Sequence, residues 1–332
     1  MKHIAVMTSG GDAPGMNPAI HAVTRTALNH HVKVSGVKQG YAGLVRGNFI
    51  NLDAQEVSGM GRRGGTFLQT SRCPEFKKPE VQQEAIAKMK DAGIEGLVVI
   101  GGDGSLTGAK AIHSHGFPVI GMPGTIDNDL GGTDIGIGVD TALNTIVTLA
   151  DMVKDTASSH ERCFIIEVMG RSSGYLAAMS AISTQSHVAV IPEFDMNMHR
   201  IVNVVQKRFS TGFKNTVIIL AEGVCSAFDM TRQLVAACDG IIANDIRSTV
   251  LGHVQRGGAP SSYDRLLAAE LGEYAVCSLL EGTSGCMAGK IAGKRLLSTF
   301  DEAIQSTPRW IHRLELMGKN LGVEFGDKPK ES

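Results

Sequence analysis

Three aspartates, Asp103, Asp127 and Asp129, lie in two glycine-bearing loops, GGDGS at Gly101–Ser105 and PGTIDND at Pro123–Asp129, each directly after an apolar run (Leu97–Ile100 and Val119–Met122). Glycine loops at strand ends offer backbone amides to phosphate oxygens, and a carboxylate beside them can hold the divalent cation that neutralises those oxygens. A second carboxylate can take a proton from an attacking hydroxyl, and Thr125 adds a hydroxyl of its own. Phosphoryl transfer asks for positioning, cationic neutralisation of the moving group and a base. The cations are available: Arg72, Arg162, Arg171, Arg247 and Arg256 each stand in or beside a glycine loop or strand end, where a guanidinium can grip phosphate with two hydrogen bonds. His253 could contact a phosphate or a sugar. Each feature has a plain alternative. Asp103 could cap a helix beginning at Ser105, each arginine could be a solvated surface charge, and His253 a hydrogen-bonded structural residue. Capping accounts for one aspartate of PGTIDND, hardly for both.

The elements that must position these groups alternate between β and α. Ile4–Met7 reads as a strand, Thr8–Gly15 as a glycine turn and Met16–Asn29 as a helix, a junction suited to phosphate. A strand at Val32–Lys38 is followed by a loop-rich basic stretch from Gly59 to Arg72 that includes Arg62 and Arg63, then by a helix at Pro79–Ala92. Val139, Ala142, Leu143, Ile146, Val147, Ala150 and Val153 recur at helical spacing within Gly138–Thr156. Further strands are expected at Cys163–Val168, ending in Met169–Gly174, at Val188–Ile191, at Thr216–Ala221, ending at Glu222-Gly223, and at Thr249–Gly252, leading to His253–Pro260. A helix from about Tyr263 to Glu281 follows, and beyond Ser298 only amphipathic helix and, from Gly326, a polar tail. The fold class expected is α/β: two doubly wound, Rossmann-like lobes with mostly parallel sheets and an active-site cleft between them, one of residues 1–138 plus about 253–305 and the other of 139–252 plus about 306–332. Both aspartate loops should open at one edge of a parallel sheet, where ligands collect.

Composition narrows the partners. The chain has 332 residues, long enough for two cores, and 32 Lys plus Arg against 33 Asp plus Glu, a net charge of −1, so no positive field points to nucleic acid or an anionic membrane. The six cysteines are scattered without a CxxC pair, as in a reduced cytoplasmic compartment. The sequence starts straight into a strand, and no run of about 18 apolar residues would span a membrane. The expectation is a soluble, cytoplasmic protein.

TSGGDAPGMN at Thr8–Asn17, GGDGS, PGTIDND, MGR at Met169–Arg171 and LGHVQRGG at Leu251–Gly258 together resemble the bacterial-type ATP-dependent 6-phosphofructokinases, in order and as far as about Gly282. The resemblance implies Mg-ATP phosphorylation of the 1-hydroxyl of fructose 6-phosphate, a glycolytic reaction, with the first lobe binding ATP and the second the sugar phosphate. It makes Asp127 the general base, puts Mg²⁺ on Asp103 with Asp129 nearby, and sets Gly11, Arg72, Thr125 and Arg171 around the transferred group. Gly11, Arg72, Cys73, Gly102, Asp103, Gly104 and Ser105 would line the ATP site. Thr125, Asp127, Met169, Gly170, Arg171, Glu222, His253 and Arg256 would line the sugar-phosphate site, joined by Arg162 and Arg247 from a neighbouring subunit of a homotetramer. Pyrophosphate-using relatives carry an aspartate at the position of Gly104 and a lysine at that of Gly124, so the resemblance favours ATP; a pyrophosphate-dependent enzyme and a catalytically silent regulatory paralogue are the alternatives. Cys73 and Lys77 depart from the aromatic residue and arginine usual near the nucleotide, which implies weaker ATP binding. The family's effector site for ADP or phosphoenolpyruvate is depleted: Arg25 is kept and Lys154 replaces an arginine, but His21 and Ala54 stand for arginines, Gly59 for aspartate, His187 for glutamate and Phe213 for lysine. A shifted site on Lys207, Arg208 or Lys214 is the alternative, and little response to either effector is expected.

Overall fold

The computed structural model describes residues 1–212, 215–238, 245–305 and 310–327. In chain order the elements are β1 (His3–Thr8), α1 (Met16–Asn29), β2 (Lys33–Val37), α2 (Gly40–Arg46), β3 (Phe49–Leu52), α3 (Pro79–Asp91), β4 (Gly96–Gly101), α4 (Asp103–Ser114), β5 (Val119–Pro123) and α5 (Val139–His160). There follow β6 (Cys163–Val168), α6 (Tyr175–Ser183), β7 (Val188–Val190), α7 (Met198–Ser210), β8 (Val217–Ala221), α8 (Ala227–Ala237), β9 (Ile246–Val250), α9 (Ser262–Leu280), β10 (Cys286–Ile291), β11 (Lys294–Thr299), α10 (Phe300–Gln305) and α11 (Ile311–Leu321). Two compact units result: residues 1–141 with 256–307, and 142–255 with 308–332.

The first unit holds a seven-stranded sheet ordered β11-β10-β5-β4-β1-β2-β3. Its centre is parallel, β4 pairing with β1 and with β5 from Leu97↔Val119 to Gly101↔Pro123, so the two aspartate loops do leave one sheet edge side by side. The connection from β1 moves toward β2 and that from β4 toward β5. The strand order therefore reverses between β1 and β4, and the crevice where nucleotides bind such sheets opens there. Both sheet faces are covered, which is why these strands read as unbroken apolar runs. Ala5, Met7, Leu97, Val99 and Val119 join one core with residues of α2, α3, α4 and α10, while the alternate residues Ile4, Val6, Val98, Ile100 and Ile120 are fully buried on the other face.

The second unit carries a four-stranded, wholly parallel sheet, β7-β8-β6-β9. One face packs Cys163, Ile165, Val188, Val190, Ile218 and Leu220 against Ile201, Val202 and Val205 of α7 and Met230 and Leu234 of α8. Several elements differ from the sequence reading: α2, β3, α7 and α8 lie in stretches for which it names no element. β9 begins at Ile246 rather than Thr249, because as an edge strand it exposes Arg247 and Ser248 and lacks the apolar run of a central strand. The β10–β11 hairpin went unread. Its two-residue turn is Ala292-Gly293 with φ of 48° and 78°, and alanine in the left-handed region carries none of the signal of the usual Asn-Gly.

Candidate active site

In the first unit the site grows from the ends of β1, β4 and β5. Ser9 N–H donates to Ile100 O and Gly124 N–H to Gly101 O, each at 3.0 Å, so all three loops leave the sheet in register. α4 starts immediately after β4, putting Asp103 in its first turn and the Gly102–Ser105 amides at the crevice; Tyr41, buried beneath, donates its hydroxyl to Ser105 O at 2.6 Å. Gly104 is exposed, and a Cβ there would meet nothing within 4 Å. Arg72 is exposed and Cys73 half-buried just before a single 3₁₀ turn at Pro74–Lys77. Burial is the larger cause that pushes the Cys73 thiol up, with Glu75 adding to it, so the thiol stays protonated at neutral pH.

The β5 loop is folded back on itself. Asn128, at φ 50°, accepts from Gly136 N–H at 2.9 Å and donates to Asp134 O at 3.2 Å. Asp127 is 4% exposed, and its N–H donates to Thr125 Oγ1 at 3.1 Å. Gly138 precedes α5 without a side chain to cap it. Buried Asp264 of α9 does so instead, accepting from Gly138 N–H at 2.9 Å and Thr141 N–H at 2.8 Å. Burial raises the Asp264 carboxyl above its ordinary range and these hydrogen bonds oppose the rise.

Arg256 completes this half. Its Nη1 donates to Asp12 O at 2.8 Å and its Nη2 stands 4.0 Å from Asp127 Oδ1. The guanidinium lies on the α-carbon of Gly11, where any Cβ would sit 2.7 Å from Nη1. Gly11, Thr125, Asp127 and Arg256 are thereby brought into one cluster, with a cation beside the carboxylate.

In the second unit Met169, Gly170 and Arg171 follow β6, Glu222 follows β8, and exposed His253 lies on a 3₁₀ turn after β9, all at the carboxyl edge of the sheet. Arg171 has φ 54°, a conformation that costs a non-glycine residue of order 1 kcal/mol or more and persists only when its surroundings hold it. They do: Glu222 Oε1 accepts from Gly170 N–H at 3.2 Å and Arg171 N–H at 2.9 Å, and Met169 N–H donates to buried Gln255 Oε1 at 3.0 Å. Glu222 thus fixes the MGR loop, and Gln255, absent from the sequence reading, does the same. Arg162 and Arg247 lie elsewhere. Arg162 precedes β6 and Arg247 is second in β9, which pairs at Cys163↔Ile246 and Phe164↔Arg247, so both are at the amino edge, about 17 Å along the strands from the MGR loop.

Of the effector candidates, His21 and Arg25 lie on α1 in the first unit; burial, then Arg25, lowers the His21 pKa. In the second unit Lys154 donates to Thr184 O, and His187 Nδ1 accepts from Val217 N–H at 3.0 Å. Burial, then Arg208 and Lys154, lowers His187 to about 4. Phe213 and Lys214 fall outside the described residues.

A doubly wound unit with amides, carboxylates and a pinned guanidinium gathered at its switch point defines a protein that handles phosphate esters or anhydrides. Comparison with known proteins carries this further. A sequence profile of the phosphofructokinase family matches residues 3–279, and the chain belongs to that family. It is 50% identical over 289 residues to an ATP-dependent 6-phosphofructokinase of Bacillus subtilis, covering 87% of this chain and 89% of that one. A Macrococcus caseolyticus protein of the same name is 50% identical over 323 residues, 97% of this chain and all of the relative. Among solved structures, phosphofructokinase from Saccharomyces cerevisiae superposes with a TM-score of 0.86 at 35% identity over 97% of this chain, which spans 48% of the yeast chain. A pyrophosphate-dependent phosphofructokinase from Nitrosospira multiformis, at 18% identity and TM-score 0.84, shares the fold.

Proposed function

We propose that the chain transfers the γ-phosphoryl group of ATP to the 1-hydroxyl of fructose 6-phosphate, giving ADP and fructose 1,6-bisphosphate, a reaction of glycolysis. The observation that carries this is the cluster of buried Asp127 and Thr125 with the half-buried Arg256 packed on Gly11. Asp127 takes the proton of the 1-hydroxyl as that oxygen attacks the γ-phosphorus. Arg256 offsets the carboxylate charge, and Arg72 and Arg171, with the Gly11 and Thr125 region, stabilise charge on the transferred group. ATP lies along the Gly102–Ser105 amides, its α-phosphate in the open space beside Gly104, where a side chain would otherwise stand.

Mg²⁺ fits the donors present. No group of three His, Cys, Asp or Glu is assembled among the described residues, and a cation that arrives with a nucleotide needs only one or two carboxylates, the rest of its shell being phosphate and water. Asp103 and Asp129 would hold it, and it would neutralise charge on the β- and γ-phosphates.

Met169, Gly170, Arg171, Glu222 and His253 would hold the sugar phosphate. Arg162 and Arg247, at the amino edge of the same sheet, are better placed to reach the 6-phosphate of a neighbouring copy, which supports a homotetramer with shared sites. The edge strand β9 with exposed Val250 (60%), Phe228 of α8 (73%) and Val254 on the turn after β9 (57%) offer apolar surface that a second copy would cover. A cytoplasmic location accords with six cysteines that form no disulfide, and among the described residues no helix is long and apolar enough to cross a membrane. The effector response is weak on this reading, since Lys154 is engaged by Thr184 and His187 is neutral. The test is fructose 1,6-bisphosphate formation coupled to a reporter, with and without fructose 6-phosphate, and with pyrophosphate, whose leaving group is orthophosphate, in place of ATP. ATP with the sugar phosphate should turn over. Turnover with pyrophosphate alone, or none with either donor, would contradict the proposal.

A further inference from the structure

Asn17 closes the TSGGDAPGMN stretch, and the reaction as described assigns it nothing. It is 3% exposed in the first turn of α1, and it spends its carboxamide on one loop. Nδ2 donates to Arg63 O and Gly64 O, both at 3.1 Å, and Oδ1 accepts from Phe67 N–H at 2.7 Å. Residues 63–73 contain neither helix nor strand, so side chains must do what a ladder of backbone bonds does elsewhere. The hold continues downstream: the Thr8 and Thr66 hydroxyls are 2.7 Å apart, Lys38 Nζ donates to Phe67 O at 2.8 Å, and Gln39 N–H donates to Leu68 O at 2.8 Å. Arg72 follows a few residues on. On its other side the clamped turn touches the chain after Arg256, for a Cβ on Gly64 would stand 2.2 Å from Gly258 O.

We propose that Asn17 is a positioning residue for phosphoryl transfer, clamping the 63–67 turn so that Arg72 is presented to the transferred group. The inference rests on the site reading that gives Arg72 that contact. A carboxamide is required because the turn offers two acceptors and one donor: aspartate supplies no donor, and leucine supplies neither. The removal of one such buried partner leaves the others unsatisfied as well.

The test is a double-mutant cycle in kcat on the full chain with Asn17→Ala, Arg72→Ala and the pair. Asn17→Ala should lower kcat about tenfold or more, because a displacement of ~1 Å can cost up to ~10²-fold. It should keep KM for fructose 6-phosphate within about twofold and add less than about twofold to the loss from Arg72→Ala alone. Losses that multiply in the pair, or an Asn17→Ala kcat within about twofold of the parent, overturn the inference. Should Asn17→Ala not fold, Asn17→Asp, which keeps the acceptor and loses both donors, takes its place in the cycle. Hydrogen exchange at the Phe67 amide of the unaltered protein needs no variant: slow exchange is expected, and exchange at the rate of unstructured chain overturns the clamp. Full turnover by Arg72→Ala would instead contradict the site reading, while the Phe67 amide would still report on the clamp.

Discussion

An alanine at position 11 would set its Cβ 2.7 Å from Arg256 Nη1. The atom in the way is the end of a flexible side chain, so the fold can yield at little cost. The guanidinium cannot yield without leaving Asp127 and the Asp12 carbonyl. Gly11→Ala should therefore shift stability by less than about 1 kcal/mol and lower kcat about tenfold or more; denaturant titration beside steady-state kinetics checks both, and a kcat within about twofold of the parent would break the link between Gly11 and Arg256. Asp103, Asp127 and Asp129 were legible in the sequence because loop glycines and carboxylates sit close along the chain. The Arg256 contact to Asp12 spans 244 positions, and neither its partner nor its packing on Gly11 leaves a local trace. The same holds for Asp264, which reads as an ordinary first-turn acid of α9 and yet caps a different helix, α5.

The central parallel strands announced themselves by unbroken apolar runs, since burial on both faces leaves no polar alternation. The edges did not. β9 exposes Arg247 and Ser248, and the hairpin of β10 and β11 turns on an alanine. One pH effect belongs to an element, the start of β7. His187 there titrates at about 4 because burial and then Arg208 and Lys154 disfavour its charge, whereas in the unfolded chain it titrates near ~6.5. The unfolded state then binds the proton first as pH falls, so His187 subtracts stability progressively from about pH 6.5 down to about 4 and subtracts nothing above that window. His187→Gln keeps an acceptor for Val217 N–H and removes the titration. The difference in unfolding midpoint between parent and variant should move in the variant's favour as pH drops through that window, and a difference constant with pH would show His187 to be exposed to solvent protons.

For the molecule as a whole, Asp127 and the GGDGS and PGTIDND loops belong to one unit and the MGR loop and Glu222 to the other, while Arg162 and Arg247 stand at the far sheet edge from that loop. Sites shared between copies make a distinct prediction. Mixed oligomers of an Asp127→Asn chain and an Arg162→Ser chain should recover part of the parent activity, and demonstrably mixed oligomers that stay inactive would show that each chain builds its own site. The most direct measurement of the central claim is kcat of Asp127→Asn with ATP and fructose 6-phosphate, alongside the affinity for each substrate. The amide keeps the shape of the side chain and cannot accept the hydroxyl proton, so turnover should fall by about 10² to 10⁴ with both affinities nearly unchanged. Turnover within about threefold of the parent would contradict Asp127 as the base.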